Sequence, residues 1–197
     1  MKTPYIIAAL LAISLGASAQ NIRGAALLGI NGCQVDGDTQ SGYNKPGIRA
    51  GFIVSSPTDK TIGFESGLLF SSKGAVKKIK DYTEFKTKLN YVELPLIIKY
   101  HFVPKFGIDA TISYNHQISS KIIDQNGTET KNPDYLKKYD VAASLGVRFY
   151  ISSQYQLTAN FGYSITKITD DPDMPYWHNN FINLSLIRYF GNKNSEK

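Results

Sequence analysis

The sequence has 197 residues, 22 basic and 16 acidic, a formal charge of +6 and one cysteine. That length suits one domain with a sizeable core or a closed barrel. The basic excess is mild and dispersed, so it gives no footing for nucleic-acid binding, and the single Cys33 excludes an internal disulfide.

The first element is residues 1–19. Lys2 precedes an apolar run, Tyr5–Leu15, which ends in Gly16-Ala17-Ser18-Ala19. A positive start, a short apolar stretch and an Ala-x-Ala end read as a cleavable signal peptide. The run is too short for a transmembrane helix, which needs about 20 residues, and no cysteine follows it to carry a lipid. Cleavage before Gln20 leaves 21 basic and 16 acidic residues, a charge of +5. Residues 20–197 are then the mature domain.

From there the period is two. Gly24–Gly32 is a weak strand rich in small residues. In Ile48–Ser55, Ile48, Ala50, Phe52 and Val54 oppose Arg49, Gly51 and Ser55. In Ile62–Lys73, Ile62, Phe64, Leu68 and Phe70 oppose Glu65, Gly67, Ser71 and Lys73. In Val92–Phe102, Val92, Leu94, Leu96, Ile98, Tyr100 and Phe102 oppose Glu93, Lys99 and His101; Pro95 suggests a bulge or bend there. Ile108–Ile118 and Asp140–Ser152 alternate likewise, with Asp109 and Arg148 on the polar side. Tyr155–Thr166 does so for twelve residues without a break. A last strand carries Ile182, Leu184, Leu186 and Phe190, a parity that Arg188 spoils. Successive strand side chains point to opposite faces, so each segment has one apolar and one polar face. Eight such strands predict an all-β, antiparallel up-and-down barrel.

Two kinds of barrel share this alternation. A soluble periplasmic barrel for an apolar ligand puts the apolar face inside; a transmembrane barrel turns it to lipid. Connections decide for the second. Long ones near Gln34–Pro46, Ala75–Lys86, Ile122–Lys138 and Thr169–Asn179 alternate with short ones near Pro57–Thr61, Val103–Lys105 and Ser152–Gln154. This is the loop asymmetry of outer-membrane barrels, with both termini periplasmic. Aromatics towards the strand ends (Phe64, Phe70, Tyr100, Phe102, Phe149, Tyr155, Tyr163, Phe190) fit interfacial girdles.

Charges of both signs on the polar parity predict a structural ion-pair network in the lumen, drawn from Arg49, Glu65, Glu93, Lys99, Asp109 and Arg148. An eight-strand barrel is only wide enough for its side chains to fill, so the expectation is a plugged barrel. The second long connection is basic, with Lys77, Lys78, Lys80, Lys86 and Lys88, and is expected to meet lipopolysaccharide phosphates or an acidic partner, if it is more than an ordinary solvated loop.

The segments Phe64–Gly74, reading FESGLLFSSKG, and Leu89–Tyr100, reading LNYVELPLIIKY, resemble the PorT-like outer-membrane β-barrel proteins of the Bacteroidetes type, and Lys45–Gly51 fits the start of that family's second strand. The resemblance implies a Gram-negative outer membrane as location. It also implies envelope or secretion-complex proteins as partners, in an accessory role in protein secretion or surface-protein maturation. It carries over no catalytic residue.

Enzyme chemistry finds little support. His116 with Ser113, Ser119 or Ser120 is the only candidate dyad for a lipid-modifying enzyme. Ser113 and Ser119 lie on the opposite parity, and Ser120 is about 13 Å along the strand. His101, on the inward parity, and His178, in the last long loop, have no zinc-ligand spacing. Asp170-Asp171-Pro172-Asp173 reads as a solvated acidic loop rather than a calcium site, and Asn126-Gly127 as a turn. No catalytic, cofactor or metal site is assigned. The function expected is a non-enzymatic, surface-exposed structural or interaction protein.

Overall fold

A computed structural model describes residues 22–38, 42–56, 61–79, 82–124, 126–173 and 176–190. Residues 1–19, expected to be a signal peptide, and Lys80 lie outside the described residues, as does the side chain of Lys78. The described residues form β1 (Arg23–Asp36), β2 (Lys45–Ser55), β3 (Ile62–Ile79), β4 (Tyr82–Val103), β5 (Phe106–Ile123), β6 (Glu129–Lys131), β7 (Tyr139–Tyr150), β8 (Tyr155–Ser164) and β9 (His178–Tyr189).

Each strand of the wall pairs antiparallel with the next in the chain, except that β7 pairs with β5 and passes over the short β6. The ring closes because β1 pairs with both β2 and β9, while β4 pairs with β5. Eight strands make the wall. The ninth, β6, adds only Glu129–Lys131 to the far end of β5, so the ring itself is the up-and-down barrel expected. Closure leaves the wall without the unpaired edge that an open sheet exposes.

The faces are sorted as lipid requires. On β8, Gln156, Thr158, Asn160 and Ser164 are buried, while Leu157, Phe161 and Tyr163 are exposed. Around the ring Leu28, Phe52, Leu68, Leu96, Ile112 and Leu145 also face out, Leu145 with 70% of its surface accessible. A belt of large apolar side chains on all eight strands of the wall is far beyond the patches a water-soluble monomer exposes. The reading as a soluble barrel with an apolar ligand cavity is thereby overturned. Aromatic pairs rim the belt. At the short-turn end Tyr100 lies 6.4 Å from Phe102, and Phe106 lies 5.1 Å from Phe149, centroid to centroid. At the other end Tyr114 faces Tyr139 at 6.4 Å and Tyr163 faces His178 at 5.4 Å. Arg188 faces out too, but at the short-turn rim, with its guanidinium 6.0 Å above the Tyr155 ring, where a long cationic side chain reaches the polar boundary.

The turns explain the asymmetry of the two ends. Only Pro104 and Lys105 separate β4 from β5. Between β7 and β8 the Ser152 hydroxyl accepts from the backbone N–H groups of Gln154 (3.2 Å) and Tyr155 (3.1 Å), closing the turn locally.

Several expectations are corrected. The basic connection Ala75–Lys86 is strand up to Ile79 and again from Tyr82: β3 and β4 stay paired there, with Gly74 opposite Lys88 and Val76 opposite Lys86. The alternation there is diluted by lysines and threonines, which hid it. Gly74, at φ +128, is required: a Cβ would stand 2.1 Å from the Thr87 carbonyl oxygen. His178 begins β9 rather than lying in a loop, and its Nδ1 is 2.8 Å from the Ser164 carbonyl oxygen. Pro95 makes no bulge. The β3–β4 register is the same on both sides of it, and the ladder only skips Leu94 and Pro95, as a residue without an N–H permits. The bulge of β4–β5 lies instead beside Asn90 and Tyr91, where Ile118 is left unpaired. It reverses the parity of β5, so Ser120 points inward and does not share the face of His116.

Candidate functional site

Nearest the short turns, the inward parity gathers four of the six charges predicted for the lumen. Lys99 and Asp109 stand opposite each other on β4 and β5. Arg148, on β7, donates from Nε to Asp109 Oδ1 (2.9 Å), from Nη2 to Glu65 Oε2 (2.8 Å) and from Nη1 to Gln156 Oε1 (2.6 Å) and Tyr189 Oη (2.9 Å). Lys99 Nζ donates to Glu65 Oε1 (3.0 Å) and Ser55 Oγ (2.6 Å), and the Tyr189 hydroxyl donates to Glu65. Two acids balance two bases, and all four are at most 3% exposed. Charges so far from water persist only when paired and hydrogen-bonded, and here both conditions are met.

Arg49 and Glu93 form a separate pair farther along the axis, with Arg49 Nη2 2.6 Å from Glu93 Oε1. A run of amides and hydroxyls continues from it: Asn183 donates to Asn31 Oδ1 (2.9 Å), and Asn31 to Ser71 Oγ (3.3 Å). The six predicted residues are thus divided between two clusters. Inward Leu27, Ile53, Leu69 and Ile187 pack together on β1, β2, β3 and β9. Gln156, Tyr189 and Ser55 were missed as members; their inward parity was the available signal.

A third layer was also missed. Lys73 Nζ lies 3.9 Å from Asp140 Oδ2 and 4.4 Å from the Phe181 ring centroid. Asp140 accepts from Ser164 Oγ (2.8 Å) and Asn179 Nδ2 (3.1 Å). Beyond it the interior turns apolar. Val35, Ala75, Leu89, Tyr91 and Ile122 from four strands meet Leu136, Ile168 and Trp177 from two connections. Those connections are knitted to each other. Leu136 bridges Thr169, Lys137 N–H donates to the Ile168 carbonyl (2.9 Å), Asp170 N–H to that of Tyr135 (2.9 Å), and Ile168 N–H to that of Trp177 (2.9 Å). Lys137 pairs with Asp170 at 3.0 Å. Burial raises the Tyr135 phenol pKa above its ordinary value, with the Asp171 charge adding to it. Residues 135–137, 168–170 and Trp177 therefore cap the long-loop end, which sequence periodicity gave no means of seeing.

The lysines of the basic stretch lie on the outer wall of the β3–β4 hairpin. Lys77 and Lys86 are half-buried and Lys88 is exposed. The candidate dyad does not assemble. His116 is exposed beside Val92 and Tyr139, whereas Ser113 is buried and the Ser120 hydroxyl accepts from Gln117 Nε2 at 3.0 Å. Among the described residues no group of three or more His, Cys, Asp or Glu side chains is placed to hold a metal ion.

A family model described as "Outer membrane protein beta-barrel domain" matches residues 13–170. Among solved structures, the attachment invasion locus protein Ail of Yersinia pestis superposes with a TM-score of 0.52 at 12% identity, covering 87% of this chain and 100% of that one. Its complex with the heparin analogue sucrose octasulfate gives 0.55 at 11% identity, with the same coverage. Neisserial surface protein A gives 0.51 at 10% identity, covering 86% and 97%. At such identities the likeness is one of fold. A comparison with curated proteins returns no match.

Proposed function

Because the chain belongs to the outer membrane protein β-barrel domain family, we propose that it is a non-enzymatic surface protein of a Gram-negative outer membrane, with a plugged lumen and loops that serve as a structural or interaction surface. Residues 1–19 deliver it as a signal peptide, both termini face the periplasm, and the capped end faces out. On the Phe64–Gly74 and Leu89–Tyr100 sequences, which form the adjacent walls β3 and β4, we group it with the PorT-like members.

The observation that carries this reading is the filling of the interior. Paired charges occupy it from the short-turn end, and the apolar cluster of Leu136, Ile168 and Trp177 closes the other. The mutually bonded residues 135–137 and 168–170 on one rim, with the short turns at 104–105 and 151–154 on the other, make a platform rather than a pore. The test uses Asn126→Cys and Ser153→Cys, treated with a membrane-impermeant maleimide. Native Cys33 is fully buried and stays silent in the folded barrel. In intact cells Asn126→Cys is labelled and Ser153→Cys is labelled only after the outer membrane is permeabilised; the opposite pattern reverses the orientation and removes the surface role.

A further inference from the structure

The register places three lysines side by side on the outer wall. Lys88 of β4 stands opposite Lys121 of β5, and Lys121 opposite Lys131 of β6. Like charges directly across strands destabilise a sheet. Among the described residues one carboxylate, Glu129, answers this row, paired with Lys121 and, at 3.8 Å, with Lys131. Lys88 has no ion pair among the described residues. On its other side a groove of about 580 Å³ runs over β2 and β3, where Gly47 and Ser72 leave the wall low; Lys45, Lys86 and Lys88 flank it, and Ile48 and Phe70 form its lower end. A second groove of about 250 Å³ lies between Lys88, Lys121 and Lys131, edged by Asn90 and Ser119. Lys88 and Asn90 are the ridge between the two.

The height of the row fixes its surroundings. On the outer face of β4 the apolar belt runs from Phe102 to Val92, and Asn90, Lys88 and Lys86 follow. Ten strand residues tilted by about 40° rise about 25 Å, the thickness of the apolar band of such barrels. The lysines therefore begin where the hydrocarbon ends. A groove with cations above and lipid-facing Ile48 and Phe70 below matches a molecule that carries phosphate over acyl chains.

We propose that the row Lys88–Lys121–Lys131, with Lys86, is a binding site for the phosphorylated headgroup of an outer-leaflet glycolipid, whose acyl chains lie against Ile48 and Phe70. The site rests on the reading above only for the leaflet it faces. It gives excess positive charge on this rim a counter-charge that the protein itself does not supply.

The experiment is native mass spectrometry of the full mature barrel in detergent, titrated with bis-phosphorylated lipid A, its dephosphorylated form, or inorganic phosphate. Unboiled gel mobility reports folding of each variant. The wild type is expected to retain the bis-phosphorylated lipid and to lose the other two. One lysine near a charged surface is worth about fivefold, so K88Q/K121Q/K131Q weakens retention about a hundredfold. K105Q, at the opposite rim, leaves it unchanged. Equal retention by the folded triple variant, equal retention of dephosphorylated lipid, or retention of inorganic phosphate as tight as that of lipid each overturns the site. None of these variants alters the maleimide pattern of Asn126→Cys and Ser153→Cys, so failure of the site and failure of the orientation read separately.

Discussion

Arg148 on β7 and Glu65 on β3 meet inside the barrel, Nη2 to Oε2 at 2.8 Å, although 83 residues separate them in sequence. The same guanidinium also holds Asp109. Replacing Arg148 with Gln takes from buried Asp109 its ion-pair partner and leaves Glu65 to Lys99 and Tyr189, and removing one partner of a buried pair costs about 3–5 kcal/mol. Urea unfolding of R148Q in micelles is expected to show that loss. The variant R148M/E65L/D109L/K99M, which removes all four charges of the cluster together, is expected to recover most of it.

The outward face makes a prediction of opposite character. Leu145 sits in mid-strand between Ala110 and Phe161 and is 70% exposed. In water Leu145→Arg would be nearly neutral. In lipid it costs about 2–4 kcal/mol, read as a lowered midpoint for folding into bilayers.

Trp177 is the only tryptophan and is 6% exposed, packed among Leu136 and Ile168 on the inner side of the wall. Its fluorescence is expected to be blue-shifted and unaffected by lipids brominated on their acyl chains. Trp177→Ala opens the apolar cap at a cost of about 3 kcal/mol. Hydrogen exchange at the Lys137 and Asp170 amides then rises, while the ladder around Arg148 stays protected.

Glu129 on β6 gives a pH dependence. The Lys121 hydrogen bond first, then the charges of Lys121, Lys131 and Lys88, hold its carboxyl below the ordinary value of 4.5. A depressed carboxyl stabilises the folded arrangement above its ordinary value and loses that effect as pH falls through the folded one. Amide protection of Glu129–Lys131 is therefore expected to hold at neutral pH and to fade below about pH 4.5, before the main ring responds.

The ring was legible because period two needs only adjacent residues: Tyr155–Thr166 and Asp140–Ser152 already declared their faces. Glu65, Lys99, Asp109 and Arg148 could be named from parity, but which met which depends on axial level. That level follows from register, and pattern alone left the division into two clusters hidden. The β3–β4 hairpin was misread as a loop because lysines and threonines there interrupt the apolar series. The inward turn of Ser120 depends on one unpaired residue, Ile118, that no alternation marks. The cap of Leu136, Ile168 and Trp177 joins two connections distant in sequence, so local pattern holds no trace of it.

A barrel filled by its own side chains conducts no ions. Planar-bilayer recording of the purified mature protein reads this. Wild type is expected to give no steady conductance, because paired charges and the apolar cap occupy the path. Sustained, uniform channels from folded wild-type barrels would contradict it.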